Sequence, residues 1–322
     1  MLKRIFQKIF PVTVVEDKYL RITYVSVFGL KLLYRVRAKE LDLSPILNSV
    51  VDITQIPKAR GKRRRLQLAD MKLLKIFDAI SRKYDFPYYL CGGTLLGAVR
   101  HHGLVPWDDD IDVSVPSEMY DKVIDILERE FAGTNLKLWG VDDTRLGDAT
   151  LRVSHRNFPS LNMDIFYAYC FTKEAGDRET VRKAWEEAHR RYTVDFELMQ
   201  PDENREKIRA FKKETDEYYK SLLPGAVDFF SPDAYAMTTE IHWRYYRYIK
   251  MSDVLPLTTL AFEDMECPVP HNPLNYLKEQ YGDIFQFPPH FHHHDSVFMD
   301  FNEDELGPIE AELDEILSRY QK

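Results

Sequence analysis

YYLCGGTLLGAVRHHGLVPWDDDIDVSVP, residues 88–116, is the stretch on which the reading of this chain turns. Pro87 to Cys91 makes a short apolar strand, and Gly92-Gly93-Thr94 opens a helix that runs to about His101, where Gly103 stops it. A second strand follows from Asp109 to Val115. Side chains alternate faces along a strand. Ile111, Val113 and Val115 therefore point into a core, while Asp110 and Asp112 stand side by side on the opposite face. Two carboxylates one repeat apart repel each other unless something holds them. A divalent cation would do so, because Mg²⁺ prefers hard oxygen ligands and is usually held by one or two carboxylates plus substrate phosphates. Asp108 and Asp109, just ahead, read as a solvated turn, Asp109 especially.

A third acid stands in LNMDIFYAY, residues 161–169, with Met163, Ile165 and Tyr167 on one face and Asp164 on the other. If that strand lies beside the first, three carboxylates converge, and two metals could clamp a phosphoryl group. Gly92, Gly93 and Thr94 sit where strand gives way to helix. Glycine permits close backbone approach, and a helix N-terminus offers free N–H groups and a positive dipole end to a phosphate. Thr94 can add its hydroxyl, and Arg100 follows two turns along. Each piece alone is common, since a Gly-Gly can be a plain turn and an Asp-x-Asp occurs in calcium sites and glycosyltransferases. Their order along the chain makes the group informative.

Working outward, Leu66, Leu73, Leu74, Phe77, Ile80 and Tyr84 recur at helical spacing over residues 66–84. A helix from about Ser117 to Phe131 follows the Asp-x-Asp strand, and further strands are expected near Leu136–Trp139 and Thr150–Ser154. Together these make an α/β core. Beyond Gly176 the chain reads as helical, with a restart after Ser231-Pro232 as cap and first helical residue. The aromatic run 242–250 reads as a helix face, and Ile309–Tyr320 as a final amphipathic helix. Toward the other end, residues 2–10 have the pattern of a short basic amphipathic helix, able to lie on a membrane or dock on the protein itself. Residues 18–37 look like a hairpin turning at Phe28-Gly29.

The chain of 322 residues is 44% hydrophobic and 30% charged, the balance of a globular protein, and its net charge of -8 argues against a nucleic-acid partner. No run reaches the roughly 20 apolar residues of a membrane span, and MLKRIFQKIFP lacks the form of a secretory signal. Cys91, Cys170 and Cys267 are too far apart to suggest a zinc knuckle or a disulfide framework, which fits a reducing cytoplasmic compartment. Lys58, Arg60, Lys62, Arg63, Arg64 and Arg65 crowd one short run, either a solvated linker or a contact for a polyanionic acceptor or anionic membrane surface. His290, His292, His293, His294 and Asp295 suggest a loop near an anionic substrate more than a metal site. Trp107 is either core or a stacking platform.

GGTLLGAVRHHGLVPWDDDIDVSVP resembles the signature of the LicD family, bacterial phosphocholine transferases related to fukutin and fukutin-related protein. MDIFYAY is similar to the family's second acidic block, and LAFEDMECPVPHNPLNYLKEQYGDIFQFPP, residues 260–289, to its C-terminal block. The resemblance covers roughly residues 66–170 and 256–295. It implies an α/β (α+β) nucleotidyltransferase fold with a mixed sheet and a largely helical C-terminal region. It also implies Mg²⁺ dependence, with Mn²⁺ as an alternative, and a CDP-linked donor whose phospho-X group is transferred with release of CMP. On this reading Asp110 and Asp112 match the metal-binding pair, Asp164 the third carboxylate, and Gly93-Thr94 the phosphate-facing turn. Asp164 would share the metal and take the acceptor hydroxyl's proton, directly or through the ion. Residues 1–57 would be an appendage, 58–170 the catalytic core, and 171–322 a helical region closing the site over a glycan or lipid-linked glycan acceptor. The expected place is the cytoplasm, peripheral to the inner membrane face. The rivals are a metal-dependent glycosyltransferase, which would release a nucleoside diphosphate, and a non-catalytic binding protein.

Overall fold

The computed structural model describes residues 13–17, 22–27, 30–34, 44–143, 148–198, 205–239, 246–288 and 301–320. Described residues up to 50, with 287 and 288, form one unit, and those of 51–286 and 301–320 form another. The first unit holds β1 (Thr13–Asp17), β2 (Ile22–Val27) and β3 (Leu30–Tyr34), an antiparallel meander, and the short helix α1 (Ser44–Val50). The hairpin expected around Phe28-Gly29 is β2–β3, with Val27 opposite Leu30. The Asn48 amide grips the backbone of Phe287 in both directions, at 2.7 and 3.1 Å. The expected helix at 2–10 and the histidine cluster at 290–294 lie outside the described residues.

The second unit is built on an eight-stranded mixed sheet. Its strands are β4 (Tyr89–Leu90), β5 (Ile111–Pro116), β6 (Leu136–Asp143), β7 (Asp148–His155), β8 (Phe158–Phe171), β9 (Ala226–Val227), β10 (Ala236–Thr239) and β11 (Ile249–Lys250). The 14-residue β8 is the hub. It pairs parallel with β5 and antiparallel with β7, β9 and β10. The parallel β5–β8 pair requires a long crossover, which helix α4 (Tyr120–Glu130) and the hairpin β6–β7 supply. Helix α2 (Gly61–Tyr84) packs one sheet face, burying Leu66, Leu73, Leu74, Phe77 and Ile80 completely. Against it lie Ile111, Val113, Met163 and Ile165, also fully buried, as their alternation demands. Helix α3 (Gly92–His101) leads from β4 toward β5.

Helices α5 (Arg178–Leu198) and α6 (Arg205–Leu222) form the helical stretch expected beyond Gly176. The restart at Ser231-Pro232 is not a helix, however. Residues 231–235 make turns, and Ala236–Thr239 then pairs with Phe171–Ala168 of β8. Local capping chemistry loses there to an open sheet edge. The described part of the 242–250 run likewise ends in β11 rather than in a helix. After the four-residue α7 (Met251–Val254) come the hairpin β12 (Thr258–Phe262) and β13 (Met265–Val269), and helix α8 (Pro273–Tyr281). Helix α9 (Leu306–Ser318) buries Leu306, Ile309, Leu313 and Ile316.

Helix α2 begins at Gly61, so most of the expected basic linker is its first turns. Cations at a helix N-terminus oppose the dipole, and here carboxylates offset that cost. Arg64 and Lys58 meet Glu263 at 2.7 and 2.5 Å, and Arg65 meets Glu310 at 3.0 Å. Arg63 donates to the carbonyl of Trp107 at 2.6 Å.

Candidate active site

The parallel register of β5 and β8 sets Asp112 directly opposite Asp164, and the antiparallel register of β7 sets Arg152 opposite Asp164 on the other side. Directly opposed residues share a face. A row Asp112, Asp164, Arg152 therefore crosses three strands, with Asp110 just ahead of β5. One carboxylate oxygen from each of Asp110, Asp112 and Asp164 lies within 4.8 Å of the others. That grouping suits oxygens gathered around one ion. Hard carboxylate donors in this number fit Mg²⁺ or Mn²⁺. Asp110 and Asp112 are half-buried, and Asp164 is buried.

Arg152 grips Asp164 with a two-pronged bond, Nε to Oδ1 at 2.5 Å and Nη2 to Oδ2 at 2.7 Å. Burial works to lower the guanidinium pKa, but Asp164, then Asp110 and Asp112, hold it above its ordinary value. Burial raises the Asp112 carboxyl to about 8, with Asp108 and Asp164 adding repulsion against two opposing backbone bonds. Asp110 is pushed well above the carboxylate range by burial and then by Asp112, Asp108 and Asp164.

The glycine turn is fitted to these acids. Gly93 N–H donates to Asp112 Oδ2 at 2.8 Å, and the Thr94 hydroxyl, fully buried, accepts the Asp112 N–H at 2.7 Å. Gly92 has φ +52°, and a Cβ there would run into the Asp112 carboxylate. A Cβ on Gly93 would meet Asp108 Oδ2 at 2.5 Å. The structure thus brings Gly92, Gly93 and Thr94 to the acids, with the hydroxyl of Thr94 fastening β5. Arg100 is placed differently. It is buried, its Nη1 donates to the carbonyl of Ile284 at 2.9 Å and its Nε to His101 Nε2 at 3.0 Å. Burial lowers its pKa to about 10, with Asp108 opposing. Trp107 stands beside it, ring centroid 5.5 Å from the guanidinium carbon.

The expected solvated turn at Asp108-Asp109 is corrected. Asp109 is buried and its Oδ2 has no hydrogen-bond partner. Gln67 of α2 clamps the loop by donating to the carbonyls of Val105 and Asp108 at 3.0 and 2.9 Å, which carries Asp109 inward. Asp70 of α2 is fully buried as well, and its Oδ1 accepts the Asn162 N–H at 3.3 Å. Arg152 and Asp70 were missed from sequence. Asp70 interrupts the apolar stripe of α2 between Leu66 and Leu74, a visible signal. Arg152 lies between Leu151 and Val153, so its polar-face position was legible but its register was not. Beside Asp112 a cleft of about 70 Å³ opens, lined by Tyr89, Ser114, Phe166, Arg247, Tyr276 and Tyr281 among others.

A family model described as LicD/FKTN/FKRP, nucleotidyltransferase domain, matches residues 85–208, the span that contains the glycine turn, the three acids and Arg152. Over 67 residues, 21% of this chain, the sequence is 43% identical to lipopolysaccharide cholinephosphotransferase LicD of Haemophilus influenzae. The chain carries a LicD-family nucleotidyltransferase domain. The chain is also similar to uncharacterized proteins of Rickettsia typhi and Rickettsia prowazekii, at 39% and 38% identity over 64 residues, 19% and 20% of the chain. The matched stretches span only 25%, 21% and 24% of these relatives' own lengths. Outside the LicD domain, β10, β11 and α8 complete the sheet edge and the cleft wall.

Proposed function

We propose that this protein is a divalent-metal-dependent phosphotransferase. It moves a phospho-X group, with X choline, ethanolamine or a polyol, from a CDP-linked donor to a sugar hydroxyl of a cell-surface glycan precursor. What supports this reading most is the meeting of Asp110, Asp112 and Asp164 oxygens within 4.8 Å, beside a helix N-terminus. The name of the Haemophilus relative supports the choice of a phosphocholine-type group.

Asp110, Asp112 and Asp164 would hold Mg²⁺ or Mn²⁺, which when bound neutralises charge on the transferring phosphoryl group. The Gly93 N–H fixes the Asp112 carboxylate, and the Thr94 hydroxyl fixes the start of β5 beneath it. Arg152's fork takes up one side of both Asp164 oxygens and leaves the other side facing Asp110 and Asp112, so we assign Asp164 to holding charge. The acceptor oxygen bonds to the phosphorus distal to cytidine as the bond to the bridging oxygen breaks, CMP leaves, and the hydroxyl's proton passes to the departing phosphate or to solvent. The cleft beside Asp112 gives the donor aromatic surfaces and one cation, Arg247, to lie against.

The test is a donor screen by mass spectrometry with CDP-choline, CDP-ethanolamine and CDP-polyols. CMP release is expected with Mg²⁺ and lost with a chelator, and Asp110→Asn should lower it at least about 10²-fold. Release of a nucleoside diphosphate from a sugar nucleotide instead would move the protein to the glycosyltransferases.

A further inference from the structure

The row across β5, β8 and β7 carries its own cation. Asp112, Asp164 and Arg152 are directly opposed, and the Arg152 and Asp164 side chains are only 17% and 9% exposed. A fork of this kind uses one lone-pair direction on each carboxylate oxygen and leaves another on each. Asp164 is thus locked from the β7 side and still open toward Asp110 and Asp112. Lysine could supply the charge but not the fork.

We propose that Arg152 is a positioning residue that holds Asp164 toward Asp110 and Asp112 and acts as a resident counter-charge, weakening the grip of the site on a divalent cation before donor arrives. The inference rests on the metal-dependent reading above. With the guanidinium in place, the carboxylates can gather before an ion is bound, and the donor's phosphates add the charge that completes the binding. Charge decides the direction of the effect. Removing one positive charge from beside the site strengthens attraction for a doubly charged ion twice as much as for a proton, since Coulomb energy scales with the product of charges. Tighter cation binding therefore outruns the added competition from a single proton on the acids.

The experiment titrates Mn²⁺ into the metal-free full-length protein at about pH 8, with free Mn²⁺ followed by electron paramagnetic resonance and no donor present. Arg152→Met should bind Mn²⁺ at least about tenfold more tightly than the wild type, while kcat for CMP release falls because Asp164 is no longer held. Arg152→Lys should return Mn²⁺ affinity to about the wild-type value and still turn over slowly, for want of the fork. Arg152→Gln, a neutral change that keeps one N–H for Asp164, serves where thermal melting finds the Met variant unfolded, and it too should bind Mn²⁺ more tightly. Neutral variants that bind Mn²⁺ no better than the wild type would overturn the proposal, leaving the metal-dependent reading intact. Failure of the wild type and every variant to take up Mn²⁺, without donor and with it, would sink both.

Discussion

At Asp112 one residue serves opposite demands. Its carboxyl is held by Gly93 N–H at 2.8 Å, yet burial and the neighbouring Asp108 and Asp164 raise its pKa to about 8. The native protein without metal therefore keeps a proton that the unfolded chain, with a carboxyl near 3.8, releases. By linkage, this residue's share of stability is full below about pH 4 and is lost as pH rises through about 8. The melting temperature of metal-free protein should fall across that window. Asp112→Asn should flatten the fall and raise the melting point at its upper end, while costing at least about 10²-fold in CMP release. An unchanged pH slope in the Asn variant would show that Asp112 is not the titrating group. Much of this site was legible from strand alternation, which put Asp110, Asp112 and Asp164 on polar faces. Arg152 was not, because alternation gives a residue's face but not which residue of another strand stands opposite. Asp109 was misread because its burial depends on Gln67, some forty positions earlier, holding the loop down.

Between elements, the turn of the β12–β13 hairpin is pinned to the starts of α2 and the end of α3. Glu263 sits at φ +56°, its N–H donates to the carbonyl of His102, and its carboxylate accepts from Arg64, Lys58 and the N–H of Leu104. Gly103 is needed because a side chain there would strike that carboxylate. Burial tends to raise the Glu263 pKa, but Arg64 and Lys58 outweigh it and bring it to about 2. Its stabilising share is present above about pH 4.5 and lost as pH falls through about 2, the opposite sign to Asp112. Glu263→Gln should cost about 2 kcal/mol near neutrality, since it leaves two cations without their carboxylate, and should shrink the acid limb of a stability profile. Equal midpoints for variant and wild type in urea at neutral pH would remove the latch. This contact explains why the helix starts earlier than its apolar stripe suggested. A cationic first turn argues against a helix on local grounds, and only carboxylates distant in sequence reverse the sign. The turn at Ser231-Pro232 failed in the same way, with a long-range pairing to β8 outweighing a local cap.

At the scale of the whole molecule, the proposed function asks how a chain of net charge -8 would reach an acceptor made at a membrane. Among the described residues no helix is long and apolar enough to cross one. The basic run at 58–65 offered one route to an anionic surface, but Lys58 and Arg64 are spent on Glu263, Arg65 on Glu310 and Arg63 on the Trp107 carbonyl. Glu263 and Glu310 offset part of its charge within the fold, and what remains is weakened over distance by screening. That leaves residues 2–10, where Leu2, Ile5, Phe6, Ile9 and Phe10 alternate with Lys3, Arg4 and Lys8. A basic amphipathic segment of this kind binds by burying its apolar face and adding roughly 1 kcal/mol per cation near an anionic surface. Deleting residues 1–10 should move the protein from pellet to supernatant in sedimentation with phosphatidylglycerol vesicles. CMP release to a soluble acceptor should stay within about twofold, because every residue assigned to the site belongs to the other unit. Reversing Arg60 and Lys62 to Glu should shift the partition far less than the deletion. If the reversal empties the pellet and the deletion does not, the start of α2 is the membrane contact, and the amphipathic segment docks on the protein instead.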